Sequence, residues 1–107
     1  KPRMERYYAC LAKSPQTFYS QPKKNSNVRV VIRPGEFLFD VVAVPDFPGW
    51  WEGKFYNGGA PPVETEMFIE ERREKRGFIH VLSPTYWQHF VTQEEYEEFA
   101  ARKWRTA

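Results

Sequence analysis

Gly49-Trp50-Trp51-Glu52-Gly53-Lys54-Phe55-Tyr56 sets two tryptophans side by side in a run that reads as a β-strand. Side chains alternate across a strand, so the two indoles must face opposite ways. One is expected to enter the core while the other stands at the surface. A large ring held on a stiff sheet offers binding area with little loss of entropy. The octapeptide therefore predicts a recognition surface rather than a buried reaction centre.

Outward from that strand, turn signals alternate with short apolar runs. Asp46-Phe47-Pro48-Gly49 makes a tight connection before it, and Arg33-Pro34-Gly35-Glu36 marks an earlier turn. Residues 37–44 between them read as a strand, as do the β-branched run 28–32 and the first segment, Arg6–Ala12. Residues 13–27 hold Pro15, Pro22, three serines and three lysines, which predicts a long loop. Phe18 and Tyr19 sit inside it, where each must either tuck under the sheet or line a pocket.

Downstream, Asn57-Gly58-Gly59-Ala60-Pro61-Pro62 breaks the tryptophan strand. Residues 63–76 read as a long hairpin arm or insertion, with a helical turn as an alternative and a solvated charge block at 70–76. Residues 77–82 form another strand, and Ser83-Pro84-Thr85-Tyr86 a turn or short 3₁₀ segment. A helix follows over about 92–105. Thr92 and Glu95 make a capping box, and Val91 with Tyr96 is placed for a hydrophobic staple. Tyr96, Phe99, Ala100 and Trp104 share one helical stripe that must pack on the sheet, near the groove if it is to extend or occlude it.

Composition supports one β-rich domain over residues 1–107. Aromatics at 18%, nine prolines and six glycines fit many short strands better than a few helices. The chain begins at Lys1, which suggests a fragment of a longer protein. A net charge of +2 is too small to argue for nucleic acid by itself. Cys10 is the only cysteine, so neither an internal disulfide nor a thiolate zinc site can form. That favours an intracellular compartment, either the cytosol or the cytosolic face of an organelle. No apolar run is long enough for membrane insertion.

Three phrases in order, Val30-Val31-Ile32-Arg33-Pro34-Gly35-Glu36-Phe37-Leu38, then Trp50-Trp51, then Gly77-Phe78-Ile79, resemble a Src homology 3 (SH3) domain. The resemblance implies a small, strongly bent five-stranded β-barrel over about 6–86, with the C-terminal α-helix packed on it. It also implies that Trp50 is the surface tryptophan of a peptide groove and Trp51 its inward partner. Family members dock proline-rich segments, because a polyproline II ligand is already extended. Tyr8, Tyr19, Pro84 and Tyr86 are then expected as the groove's other walls. Family members carry an acidic loop after the first strand. Here residues 13–27 contain no Asp or Glu but include Lys13, Lys23 and Lys24, so the charge preference is expected to differ.

Other chemistry finds little support in the residues. His80 and His89 lack a Cys or His partner at metal-ligand spacing, and no catalytic motif or phosphate loop is visible. No cofactor is expected, and the chain does not read as an enzyme. The expected partner is a peptide segment of another protein, or of the parent chain, within a scaffold, adaptor or import-machinery protein. Two other readings remain open. In one, a small barrel binds nucleic acid through Lys13, Lys23, Lys24, Arg29 and Arg33 with stacking aromatics; the Glu-rich helix argues against it. In the other, the barrel is a structural docking surface in a large assembly.

Overall fold

Short apolar runs set off by turns yield seven strands and one α-helix among the described residues. The computed structural model describes residues 6–57, 59–61, 74–81 and 84–105, without the side chains of Pro84 and of residues 103–105. Strands β1 (Arg6–Ala12), β2 (Gln16–Tyr19), β3 (Val28–Ile32), β4 (Phe37–Ala43), β5 (Trp50–Tyr56), β6 (Glu74–His80) and β7 (Trp87–Phe90) join in one sheet. The order is β3-β2-β6-β5-β4-β1-β7, and every pairing is antiparallel. Helix α1 (Gln93–Arg105) follows.

The protein is therefore mainly β with a C-terminal helix, but the five-stranded closed barrel is not what forms. The sheet has seven strands and stays open, with β3 and β7 at its edges. Two strands account for the difference. β2 lies inside the segment expected to be loop, where Gln16 and Phe18 are buried and Thr17 and Tyr19 are not. β7 begins just past the expected boundary at 86; it puts Trp87 into one apolar cluster and Phe90 into another. β6 also starts earlier than expected, and Glu74, Lys75 and Arg76 pair with Tyr56, Phe55 and Lys54. The rest of the supposed hairpin arm lies outside the described residues.

Both proline-glycine turns form by the same chemistry. The Glu36 N–H donates to the Arg33 carbonyl at 3.0 Å, and the Trp50 N–H to the Phe47 carbonyl at 3.1 Å. Each turn has proline second and a left-handed glycine third (φ 93° at Gly35, 87° at Gly49), the type II arrangement. β4 bends at Asp40, whose φ of 52° coincides with a register shift against β5 between Phe39 and Val42. The Lys54 ammonium reaches the Asp40 carboxylate there at 3.0 Å, and this bond is the main reason the lysine pKa is raised.

Two apolar clusters hold the sheet. Cys10, Phe18, Leu38, Val41, Trp51, Phe55, Ile79 and Trp87 belong to the first. The second gathers Ala9, Phe37, Phe39, Tyr56 and Phe90 under Tyr96 and Phe99 of α1. The helix thus covers the β1–β7 side. The Glu95 N–H donates to Thr92 Oγ1 at 3.2 Å, and Glu95 Oε1 accepts from the Val91 N–H at 3.0 Å. The returning arm of the box thus caps one residue earlier than the motif implies. Val91 stays 58% exposed, so the expected staple buries little. Thr92→Ala is expected to lower stability by about 1 kcal/mol, read as a lower thermal midpoint with an unchanged β-sheet spectrum.

Candidate binding groove

Consecutive positions on β5 send Trp50 and Trp51 to different surroundings, but neither indole stands in solvent. Each is only 8% exposed. Trp51 joins the first cluster, close to the rings of Tyr7 at 5.8 Å and His89 at 5.4 Å. Trp50 is covered by Tyr19, edge-on at 5.5 Å, and by His80 at 5.0 Å. The expectation of a solvent-facing Trp50 is thereby corrected. The reason is long-range: β2 pairs with β6 at Tyr19 and Phe78, which brings Tyr19 over the neighbouring strand's tryptophan.

Above this layer runs a groove of about 440 Å³. Tyr19, His80, Lys24 and Tyr86 line it, with residues 14–17 as the opposite rim. Gln16 stiffens that rim, its amide donating to Ser14 Oγ at 2.9 Å and to the Ser14 carbonyl at 3.3 Å. Tyr86 ends a 3₁₀ turn, Pro84–Tyr86, and is 40% exposed. Its carbonyl accepts the Lys13 N–H at 2.8 Å, tying the turn to the end of β1. Gly49 adjoins His80, since a Cβ placed there would lie 3.6 Å from its Nε2.

The five sequence-derived wall candidates separate in space. Tyr19 and Tyr86 line the groove, and Trp50 lies below it. Pro84 belongs to the turn that carries Tyr86, though its side chain is outside the description. Tyr8 lies elsewhere. Its ring packs on Phe39 at 5.7 Å and Tyr96 at 5.6 Å, on the helix-covered side. The cause is its strand: β1 sits between β4 and β7, and the Tyr8 N–H is bonded to the Val91 carbonyl just before α1. Burial, ahead of nearby Tyr96 and Glu97, pushes its hydroxyl pKa up. Of the helix stripe, Tyr96 and Phe99 pack on the second cluster, away from the groove, while the Trp104 side chain lies outside the described residues.

Sequence reasoning gave His80 little weight, yet it forms part of the floor. Its Nδ1 is buried and has no hydrogen-bond partner among the described residues. Burial first, and Lys24 second, lower its pKa, so the ring is neutral at pH 7. The signal for β2 was present in the polar-in, aromatic-in, aromatic-out order of Gln16, Phe18 and Tyr19, but flanking prolines and lysines masked it.

The Cys10 thiol is fully buried, and burial raises its pKa strongly. Among the described residues, no three His, Cys, Asp or Glu side chains gather as a metal site would need. No helix among them is long and apolar enough to cross a membrane. No protein-family model matches the chain, and neither does any curated protein or solved structure.

Proposed function

We propose that this chain is a protein-interaction module, SH3-like in kind, that docks a short extended peptide in the groove between the β2–β3 hairpin, the end of β6 and the 3₁₀ turn. The observation that carries the reading is the pair of accessible rings, Tyr19 and Tyr86, set beside His80 over a buried tryptophan. The partner is a proline-rich or atypical segment of another protein or of the parent chain, within an intracellular scaffold, adaptor or import machinery.

A shallow groove of this size buries little area, so a single peptide should bind on the order of micromolar. Tyr86→Ala is the direct test, because Tyr86 is exposed and its loss leaves both apolar clusters intact. A peptide-array screen with proline-rich and aromatic motifs, read by tryptophan fluorescence, identifies a ligand. Tyr86→Ala should then weaken that ligand roughly tenfold or more, with the urea midpoint unchanged. Unaltered affinity would place binding elsewhere.

A further inference from the structure

We infer that the segment taken by this groove carries an acidic side chain where it passes Lys24, and that a basic residue there is disfavoured. The inference rests on the peptide-docking reading above, and it assigns that ligand a charge.

The groove's electrostatics are one-sided. Lys24 is the only charged side chain among its described lining residues, none of which is a carboxylate. Lys24 is exposed, and no salt bridge among the described residues neutralises it. Its influence reaches the floor, since the same ammonium helps to hold His80 neutral. Lys23 precedes it in the same turn, and Lys13 adjoins the rim residue Ser14.

The turn that carries Lys24 is also closed by its own hydrogen bonds. The Ser26 hydroxyl donates to the carbonyls of Lys23 at 2.6 Å and Gln21 at 3.1 Å. The Ser20 N–H donates to the Asn27 carbonyl at 2.8 Å, which pins the base of the turn. The charge therefore stands on a set backbone beside the aromatic floor. An acidic residue on the ligand meets a cation there, whereas a basic one meets like charge with no acid among the described lining residues to offset it. The near-neutral whole-chain charge of +2 and the aromatic lining favour a peptide over a nucleic acid as the source of that negative charge.

Three matched proline-rich dodecapeptides, flanked by Glu, Ser or Lys, test the inference against the 107-residue chain. Affinity is read by titration, and occupancy of the groove by NMR shifts at Tyr19 and His80. At low salt, near 50 mM, the Glu peptide should bind about five- to tenfold tighter than the Lys peptide, and the gap should shrink by 500 mM, about where exposed charges are screened. Lys24→Glu should reverse the order without moving the urea midpoint.

Equal affinities with shifts at Tyr19 and His80 would overturn the charge assignment and leave peptide docking standing. If none of the three peptides moves those resonances, peptide docking itself falls. An oligouridylate that binds tighter than the Glu peptide and shifts the same residues would replace both with nucleic-acid recognition.

Discussion

Trp51→Ala is expected to reduce the free energy of unfolding by about 3–5 kcal/mol, most of the margin of an ordinary small domain. Trp51 pairs with Ala43 and Ile79 across its two neighbouring strands and packs inside the larger cluster, so no single neighbour can fill the space it leaves. Trp50→Ala should cost less, about 3 kcal/mol, because Tyr19 and His80 above it are only half-buried and can settle into the gap. The functional order is the reverse. Settling of those two rings removes the groove floor, so Trp50→Ala should abolish peptide binding under conditions where it is still folded. Trp50→Phe, which keeps a ring beneath them, should retain most of both properties. Urea denaturation gives the stability order, and the midpoint should shift with an unchanged slope. Equal losses for the two alanine variants would mean that the indoles serve one core.

What was legible in the sequence was local. The two Pro-Gly turns, the Phe- and Val-rich run of β4, the double-tryptophan run of β5 and the Thr92–Glu95 cap each depend on residues within a few positions of one another. They appear where their patterns place them. Alternation also gave the right relation between Trp50 and Trp51, which is that they do not share surroundings. It says which way a side chain points, however, and not what lies there. Tyr19 covers Trp50 from a strand 31 positions earlier, and no pattern around either residue encodes that meeting.

The same limit explains the fate of the other candidates. Tyr8 is a groove candidate on the first strand, but β7 and α1 arrive on its side of the sheet and partly cover it. Conversely, Phe18 and Tyr19 posed a choice between core and pocket, and the strand divides them: Phe18 is fully buried, while Tyr19 lines the groove. A four-residue strand flanked by prolines carries too little pattern to announce itself. It gains its place by pairing with β3 and β6.

Gly77→Ala is expected to remove that pairing and the groove with it. Gly53 and Gly77 lie directly opposite each other on β5 and β6, flanked on the same face by Trp51, Phe55 and Ile79. Two absent side chains leave room for Leu38 and Phe18 to cross the sheet. A Cβ on Gly77 would lie 2.5 Å from the Tyr19 carbonyl oxygen and 2.9 Å from Phe18 Cε2. Backbone cannot rotate away as a side chain can, so β2 must shift as a whole. The expected cost is about 3 kcal/mol, the upper end for overpacking.

Gly53→Ala meets Leu38, whose Cγ would lie 2.7 Å away. Leu38 is fully buried and must repack, but no backbone atom is among the nearest, so the cost should be about 2 kcal/mol. Gly35→Ala has nothing within 4 Å of its Cβ and isolates the strain of a φ of 93°. It should cost about 1–2 kcal/mol, with no effect on the groove. Hydrogen exchange separates the three variants. Only Gly77→Ala should deprotect the β2 and β3 amides while β1, β4 and β5 stay protected. Uniform loss of protection would instead make the hairpin part of a single folding unit, inseparable from the sheet on which it packs.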